Sequence, residues 1–397
     1  MHRLMITNGR VVLSDCIKDG IDIICDKSSG KIESIVPQGE YTPEDTDEVI
    51  DAEGNFVSPG FVDIHIHGGG GYDFMDGTVE SFLGVARIHA AHGTTSMFPT
   101  TLTCTDEELL KVFDVYEEAK KQNTDGAQFL GLHLEGPYFS PQQSGAQDPS
   151  YLKKPLPQSY EPLLAASKSI ARWSVAPELE GAMEFGDVLT RHGILPSIAH
   201  SNAVYETAVE AYEHGYTHAT HLYCAMSSIV RKNAYRYAGI IEAAYMLDDM
   251  TVEIIADGAH LPKPLLQYVY KFKGPYKTAL CTDAIRAAGM PEGEYLLGSM
   301  DKGQRVIVED GVAKLPDRSA FAGSVATTDR LVRTMVQVAE VPMLEAVRMM
   351  TQTPARIMHV DNVKGEITVG KDADIVIFND NVDVSRTIVG AKTIFRN

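Results

Sequence analysis

The alternation of apolar and polar positions distinguishes the two ends of the chain from its middle. Residues 1–56 carry short alternating runs, such as IDIICD and KIESIVP, that are interrupted by glycine, aspartate and serine. The C-terminal run KGEITVGKDADIVIFND has the same character, with turn signals at Gly365 and Gly370. A period of two is typical of half-buried strands, so both ends predict antiparallel β structure.

Between these ends, short apolar runs alternate with amphipathic segments. The runs that predict strands are FVDIHIHG, TTSMFPT, QFLGLHLEGP, RWSVAPE, LPSIAHS, HATHLY, VEIIADGAH and TALCTDAI. Stretches with helical spacing, such as VESFLGVARIHAAHG and VYETAVEAYEHG, lie between consecutive strands. Eight strand–helix units predict an α/β fold, the (β/α)8 TIM barrel. A doubly wound open sheet is the alternative, but no glycine-rich phosphate fingerprint follows its first strand.

The chain is long enough for one large domain and one small one, or for two domains of ordinary size. It has 397 residues, of which 44% are hydrophobic and 22% charged, as in a globular protein with a sizeable core. Chain termini often lie close together at a domain surface. We therefore expect residues 1–56 and 357–397 to form a small β-sandwich domain, and residues 57–356 to form the barrel.

The charge, the N-terminal residues and the cysteines indicate where the protein works and which partners it does not bind. The net charge is −19, whereas nucleic acids and anionic membranes require clustered lysine and arginine. The N-terminal residues MHRLMITNGRVV contain no apolar targeting segment, and no window approaches the length of a membrane span. The five cysteines are odd in number, scattered and without a CxxC pair. We expect a cytoplasmic protein without disulfides that binds neither nucleic acid nor membrane. The cysteines are Cys16, Cys25, Cys104, Cys224 and Cys281.

Imidazole and carboxylate side chains recur where the predicted barrel strands end. In chain order they are His65, His67, Glu135, His200, His221, His260 and Asp283. One histidine on an apolar strand is usually a core residue with its hydrogen bonds satisfied. Seven such groups are different, because the carboxyl ends of barrel strands meet at one face, where the chemistry of these folds takes place. Imidazole and carboxylate together are the ligands of a first-row metal, so the sequence predicts a metal site.

The predicted ligands indicate a reaction class. A divalent metal lowers the pKa of a bound water and polarises a carbonyl group. A carboxylate beside the metal, such as Asp283 on the eighth strand, can take the proton of the water and deliver it to a leaving amine. The sequence therefore predicts hydrolysis of an amide or a related C–N bond.

Several of these segments also resemble a known family. HIHG, the late TDA and the tail TPARIM…GEITVGKDADIVIF are similar to the amidohydrolase superfamily. Within this superfamily, the sequence resembles the N-acetylglucosamine-6-phosphate deacetylase family in the segments HLEGPY, AHSNAVY, THLYCAM, IADGAH and CTDAIRAAGMPEGEYLLG. The resemblance covers essentially the whole chain. Many superfamily members carry a carboxylated lysine on the fourth strand, but ARWSVAPE offers no lysine there.

The resemblance implies hydrolysis of the N-acetyl group of N-acetylglucosamine-6-phosphate, which gives glucosamine-6-phosphate and acetate. It implies a homodimer that uses a divalent metal, either zinc, iron or another first-row ion. Glu135, His200 and His221 would be the principal ligands and Asp283 the catalytic acid and base. His65 and His67 match a second metal position, so that one or two ions would bind per chain.

The resemblance also implies which residues contact the substrate. His260 would bind it and stabilise the oxyanion. The other implied substrate-binding residues are Ala146, Gln147, Cys224, Ala225, Arg231, Lys232, Arg236, Phe321, Ala322 and Gly323. Cys224 departs from the asparagine that is usual in the family, and the loop at 227–238 lacks the Glu-Pro-Gly of the family. In the family this region holds the sugar phosphate, with an arginine that reaches across from the neighbouring subunit.

Other functions remain open at this point. One is an amidohydrolase that deacylates a different N-acyl amino sugar, either unphosphorylated or of the N-acetylgalactosamine type, or an N-acyl amino acid. Tyr235 and Tyr237 would suit an uncharged sugar, because aromatic faces stack on such groups. A non-catalytic barrel scaffold is less favoured, because the sequence has lost none of the expected ligands.

Overall fold

The computed structural model describes residues 2–397. Its strands, in chain order, are β1 (Arg3–Thr7), β2 (Arg10–Val12), β3 (Ile17–Lys18), β4 (Ile21–Asp26), β5 (Lys31–Pro37), β6 (Glu48–Asp51), β7 (Phe56–Pro59), β8 (Phe61–Ile66), β9 (Gly68–Gly69), β10 (Tyr72–Asp73), β11 (Thr94–Thr101), β12 (Gln128–Phe129), β13 (Leu132–Glu135), β14 (Ile170–Val175), β15 (Leu195–Ile198), β16 (His218–Ala219), β17 (Val230–Lys232), β18 (Tyr235–Tyr237), β19 (Thr251–Ile254), β20 (Thr278–Leu280), β21 (Gly293–Leu297), β22 (Gln304–Glu309), β23 (Val312–Lys314), β24 (Ile375–Phe378), β25 (Val384–Val389) and β26 (Lys392–Arg396).

The α-helices are α1 (Val79–Ala90), α2 (Asp106–Gln122), α3 (Pro157–Ala166), α4 (Ala182–Arg191), α5 (Tyr205–Glu213), α6 (Ile240–Met246), α7 (Lys263–Phe272), α8 (Thr328–Gln337), α9 (Met343–Met350) and α10 (Gln352–Ile357). Single turns of 3-10 helix lie at Phe74–Asp76, Pro141–Gln143 and Pro149–Tyr151. None of the helices within residues 2–397 combines the length and the apolar character that crossing a membrane requires.

Eight parallel strands form the barrel in the order β8, β11, β13, β14, β15, β16, β19 and β20, and β12 pairs with the start of β11. The barrel closes between β20 and β8. There the amide of Asp283 donates to the carbonyl of His65 at 2.8 Å, and the amide of His67 donates to the carbonyl of Ala284 at 2.8 Å. The predicted (β/α)8 TIM barrel is confirmed, and each of the eight predicted strand segments overlaps an observed barrel strand.

The small β domain contains two sheets, one made from the N-terminal segment and one made from both ends of the chain. One has the order β5-β4-β1-β6, and the other has the order β26-β25-β24-β7-β2-β3. A single apolar cluster joins Leu4 and Ile23 of the first sheet to Val57 and Ile375 of the second, and all four are buried. This confirms the predicted small domain of terminal segments. Its predicted boundary after residue 56 falls inside β7, which pairs with both β2 and β24.

Helix α2 illustrates how the local sequence builds the outer layer. Thr105 caps its first turn, because its hydroxyl accepts from the amide of Glu108 while the Glu108 carboxylate accepts from the amide of Thr105. Three acidic residues occupy the first turn and two lysines the last, which complements the helix dipole. Leu109, Val112 and Tyr116, at helical spacing, are buried in the main core of the barrel.

Two small β elements follow barrel strands near the carboxyl face. The hairpin of β17 and β18 follows β16, in the segment that the sequence presented as a loop. The antiparallel sheet of β21, β22 and β23 follows β20, and the sequence patterns did not predict it. Its Leu297 reaches the cavity described below, so this insertion forms part of the wall of the site.

Candidate metal centre

The carboxylate of Glu135 lies between two pairs of histidines. Its Oε1 lies 3.1 Å from Nε2 of His221 and 3.3 Å from Nε2 of His200. On the other side, Oε1 lies 3.4 Å from Nε2 of His65, and Oε2 lies 3.4 Å from Nε2 of His67. All five side chains are buried. The structure thus brings together five of the residues that the sequence selected.

The outer nitrogens of three histidines are held by acceptors. Nδ1 of His65 donates to a carboxylate oxygen of Glu253 at 2.7 Å. Nδ1 of His67 donates to the carbonyl of Thr100 at 3.2 Å, and Nδ1 of His200 donates to the carbonyl of Gln143 at 2.8 Å. Because these oxygens can only accept, Nδ1 carries a proton in each ring, and Nε2 is the nitrogen that remains to bind an ion at the centre.

The facing lone pairs fit a cation. Nε2 of His65 lies 3.3 Å from Nε2 of His67, and Nε2 of His200 lies 3.2 Å from Nε2 of His221. Two neutral imidazoles cannot share a hydrogen bond through two lone pairs, whereas a metal ion binds both. Two groups of buried donor atoms could each hold an ion: His65, His67 and Glu135, and Glu135, His200 and His221.

The electrostatics of the cluster also favour positive charge. Burial disfavours the charged imidazole of His67, but hydrogen bonds with Asp283 and Glu135 raise its pKa to about 9. Burial likewise opposes charge on His65, yet the carboxylates of Glu135 and Asp283 raise its pKa well above the ordinary value. Protons and a divalent cation compete for the same lone pairs, so a site that favours protonation in this way also attracts a metal.

Asp283 lies on the His65–His67 side of the centre. Its Oδ1 is 3.1 Å from Nε2 of His67 and 3.5 Å from Nε2 of His65. Burial alone would raise the pKa of Asp283, but the two imidazoles hold it below its usual value, so the carboxylate is ionised. An ionised carboxylate at this position can accept a proton.

Three of the chemically important residues have unusual backbone conformations. His200, His221 and Asp283 have φ angles of 44°, 28° and 48°, in the left-handed region. Such conformations cost side-chain-bearing residues about 1–3 kcal/mol and persist where the surrounding structure imposes them. All three lie two or three residues after the end of a barrel strand, so the strain is concentrated at the carboxyl face where the donor atoms converge.

A cavity of about 550 Å³ opens beside the centre. The substrate-binding residues predicted from the sequence that line it are Ala146, Gln147, Cys224, Ala225, His260, Phe321 and Gly323. Ala322 does not line it; its side chain is buried in an apolar cluster with Ile285 and Val306. Arg231, Lys232 and Arg236 do not line it either, because they are exposed on the hairpin of β17 and β18.

His260 is oriented by a carboxylate. Its Nδ1 lies 2.8 Å from Oδ2 of Asp257, and its backbone amide donates to Oδ1 of the same residue. The ring of Phe321 lies beside it, with ring centroids 4.4 Å apart. These contacts fix the imidazole and leave its Nε2 free to bind a ligand in the cavity.

Gln147 contacts the central carboxylate. Its Nε2 donates to Oε2 of Glu135 at 2.6 Å, and its Oε1 accepts from the amide of Thr103 at 2.9 Å. The backbone amide can only donate, so it fixes the orientation of the side-chain amide. The structure therefore places Gln147 beside a candidate metal ligand as well as at the cavity wall.

Two charged residues beneath the centre were missed by sequence reasoning. Arg172 on β14 and Glu253 on β19 form a fully buried ion pair, with NH1 and Oε2 2.6 Å apart. Burial would raise the pKa of Glu253, but the guanidinium of Arg172 and the imidazole of His65 hold it well below its ordinary value. The signal in the sequence was one charged residue inside each of two apolar strands, RWSV and VEII.

Comparison with known proteins agrees with this geometry. A model of the amidohydrolase family matches residues 56–394. The N-acetylglucosamine-6-phosphate deacetylase of Lysinibacillus sphaericus is 35% identical over 347 residues, which cover 85% of this chain and 85% of that protein. The N-acetylgalactosamine-6-phosphate deacetylase of Escherichia coli O157:H7 is 31% identical over 339 residues, which cover 85% of this chain and 87% of that protein. The crystal structure of N-acetylglucosamine-6-phosphate deacetylase from Pasteurella multocida superposes with a TM-score of 0.91 at 30% identity, covering 100% of both chains.

Proposed function

The chain belongs to the amidohydrolase family, and we propose that it hydrolyses the N-acetyl group of N-acetylglucosamine-6-phosphate, which yields glucosamine-6-phosphate and acetate. The observation that carries the proposal is the Glu135 carboxylate between two histidine pairs, with an ionised Asp283 on the same cavity. That arrangement suits hydrolysis of an amide. The relatives named above supply the substrate class, because they cover most of the chain.

Glu135, His200 and His221 would hold one metal ion, and His65 and His67 would hold a second one that shares Glu135. Imidazole nitrogen and carboxylate oxygen suit zinc, iron or another first-row ion. A divalent metal bound there lowers the pKa of a water molecule towards neutrality and polarises a carbonyl oxygen. The surrounding protein fixes the ligands, since three of the four imidazoles are held through Nδ1.

Different residues around the centre carry out the proton transfers and bind the acetyl group. Asp283, ionised at neutral pH, accepts the proton of the attacking water and delivers it to the nitrogen of the leaving amine. His260, which Asp257 holds through Nδ1, contacts the acetyl oxygen with its ring as negative charge develops on that oxygen. Gln147 holds Glu135 during these steps through its amide.

Recognition of the phosphate involves a second subunit in this proposal. The residues that line the cavity include no lysine or arginine within the described part of the chain. Arg231, Lys232 and Arg236 instead project from an exposed hairpin, together with exposed Tyr235 and Tyr237. A homodimer in which this hairpin reaches the cavity of its partner would supply the missing positive charge, since arginine binds phosphate through two hydrogen bonds.

The state of the cysteines indicates the cellular compartment of the enzyme. Across residues 2–397 all of them are free thiols, and Cys25 and Cys281 are buried. Free thiols are typical of proteins kept in a reducing compartment. We place the reaction in the cytoplasm on this basis.

The epimeric substrate is a second candidate. The relative from Escherichia coli O157:H7 is named for N-acetylgalactosamine-6-phosphate and covers as much of this chain as the first relative does. The two sugars differ only in the orientation of one hydroxyl group. A comparison of the two 6-phosphates under the same conditions distinguishes them by kcat/KM.

The decisive experiment measures acetate release from N-acetylglucosamine-6-phosphate, N-acetylgalactosamine-6-phosphate and N-acetylglucosamine. A phosphate clamp with more than one charge-assisted bond should favour a phosphate ester over the free sugar by at least ~10²-fold in kcat/KM. The Asp283→Asn variant, prepared in parallel, controls for contaminating activity. Equal values with and without phosphate would refute the phosphate assignment. No acetate from any of the sugars by the metal-loaded protein would refute the deacetylase itself.

A further inference from the structure

We infer that Glu253, held by Arg172, is a positioning residue of the metal centre. It fixes the proton of His65 on Nδ1 and so directs Nε2 of His65 towards the ion. The inference rests on the proposed metal-dependent function, but it concerns residues that touch neither the cavity nor the substrate. Glu253 and Arg172 are both fully buried in the interior of the barrel.

The outer partner of His65 differs from those of the other candidate ligands. Nδ1 of His65 meets a carboxylate oxygen of Glu253 at 2.7 Å, whereas His67 and His200 donate to backbone carbonyls. A carboxylate partner makes an imidazole a more basic ligand than a carbonyl partner does, in addition to fixing its tautomer. His65 is therefore the histidine whose binding of metal should depend most on one distant side chain.

Arg172 fixes the carboxylate in turn. Its NH1 and NH2 donate to the two oxygens of Glu253 at 2.6 and 3.0 Å, a bidentate pair. The same guanidinium donates to the carbonyl of Ile64 and to the hydroxyl of Thr220. Ile64 and Thr220 directly precede the candidate ligands His65 and His221, so Arg172 and Glu253 tie the first and sixth barrel strands together beneath the site.

Glu253 also contacts the second histidine pair through the backbone. The amide of His221 donates to Oε1 of Glu253 at 3.3 Å, the same oxygen that accepts from His65. His221 has a backbone φ of 28°, which a neighbouring acceptor helps to hold. One carboxylate thus contacts a ligand of each candidate ion, although His65 is the one candidate ligand whose side chain it bonds.

A different interpretation of the same residues is a third metal site. Donor atoms of His65, Glu253 and Cys281 lie within 4.8 Å of one another. The guanidinium of Arg172 already neutralises Glu253 and would repel a cation there. Nδ1 of His65 carries the proton that it donates to Glu253, so it has no lone pair to offer. The geometry therefore favours support of the centre over an additional site.

The test compares metal binding by the holoprotein and by the Glu253→Gln variant, with zinc as the probe. Glutamine keeps the shape and an acceptor oxygen but removes the charge, so the affinity of one ion per chain should fall about 10- to 100-fold. The ion bound by His200 and His221 should be retained. Metal content after dialysis against a graded chelator separates the two ions, and no substrate is needed.

His218→Gln is the matched control. Nε2 of His218 lies 3.3 Å from Oε2 of Glu253, and its Nδ1 lies 2.8 Å from the hydroxyl of Thr251. This substitution disturbs the same buried network from the other oxygen, so both variants should lower Tm. Only Glu253→Gln should weaken the metal. Unchanged affinity in Glu253→Gln, or an equal loss in His218→Gln, would overturn the inference.

If Glu253→Gln does not fold, the double change Arg172→Met and Glu253→Met removes both charges and leaves neither unpaired, and the same loss of one ion is expected. The unsubstituted protein provides an independent reading. Its proton spectrum should contain a low-field imidazole N–H signal that disappears in His65→Asn, and the lack of such a signal would count against the inference. A failure of this inference can be distinguished from a failure of the proposed function, because a chain that releases no acetate can still show this pattern of metal loss.

Discussion

The side chain of Gln147 donates a 2.6 Å hydrogen bond to Oε2 of Glu135, the carboxylate that both histidine pairs share. The amide of Thr103 donates to the other end of the same side chain at 2.9 Å. Rotation of the amide by half a turn would lose both bonds. Gln147 is therefore a fixed support of the central carboxylate as well as a residue of the cavity wall.

We predict that Gln147→Leu weakens metal binding about 10- to 100-fold, since Glu135 loses the donor that orients it. Metal titration of the purified protein measures the effect. Gln142→Leu is the matched control, because Gln142 also lines the cavity but bonds to Ser140 instead. A raised KM with unchanged metal affinity would instead support the role in sugar binding that the family resemblance implies.

We predict that Asp283→Asn leaves the metal in place and lowers turnover by ~10²–10⁴-fold, the usual effect of losing a general acid and base. An amide cannot accept the proton of the attacking water. The pre-steady-state release of acetate and the metal content of the same preparation measure both parts. Turnover close to that of the unsubstituted protein would remove Asp283 from the mechanism.

The barrel and the convergence of its polar residues were predictable from the sequence, because both depend on local patterns. Strands such as β8 and β13 are marked by short apolar runs that are followed by glycine. Once eight such runs predict a barrel, His65, Glu135 and Asp283 must meet, since the fold brings the carboxyl ends of its strands to one face. No knowledge of the register was required.

The supporting contacts were not predictable, because they depend on register and on distant partners. Glu253 meets His65 across 188 positions of sequence and meets Arg172 across 81. A charged residue in an apolar strand shows only that some partner is needed, and does not identify it. The three-stranded sheet from β21 to β23 was missed for a different reason, since its short runs lie within a segment rich in glycine and charge.

The two histidine pairs should differ in their effect on metal content. Replacing Glu135 with alanine should remove all bound metal, because its carboxylate contacts both pairs. Replacing His200 or His221 with alanine should abolish activity together with the principal ion. The double change of His65 and His67 to alanine should remove at most one ion per chain. Complete loss of metal in that double variant would make the strand β8 position the principal site and reverse this ranking.

Acid should destabilise the protein partly through His89. Burial lowers the pKa of His89 to about 4 from the ordinary 6.5, although its Nε2 lies 3.0 Å from the carbonyl of Gly68. The unfolded chain binds a proton between these two values and the folded chain does not, so stability is complete above pH 6.5 and falls as the pH drops towards 4. At pH 4 the loss of unfolding free energy through His89 reaches about 3 kcal/mol.

The His89→Gln variant measures this contribution. Glutamine can donate to the carbonyl of Gly68 and does not titrate, so its unfolding free energy should change less with pH between 6.5 and 4 than that of the unsubstituted protein. Denaturant titrations at pH 7.5, 5.5 and 4.5, at a fixed metal concentration, give the difference. Parallel pH profiles for the two proteins would show that His89 contributes nothing.

The hairpin of β17 and β18 should act on the cavity of the partner subunit. Changing Arg231, Lys232 and Arg236 together to alanine should lower kcat/KM for the phosphorylated sugar and leave that for the free sugar nearly unchanged, because only the phosphate loses its partners.

Co-expression of this triple variant with Asp283→Asn, each carrying a different tag, then tests whether the hairpin acts on its own subunit or on the partner subunit. In a mixed dimer, the Asp283 of the triple variant and the hairpin of the other chain complete one intact site. Random pairing makes half of the dimers mixed, so about a quarter of the unsubstituted activity should return. If the hairpin served its own subunit, each mixed dimer would hold one site without the carboxylate and one without the basic residues, and no activity beyond that of the separate variants would appear.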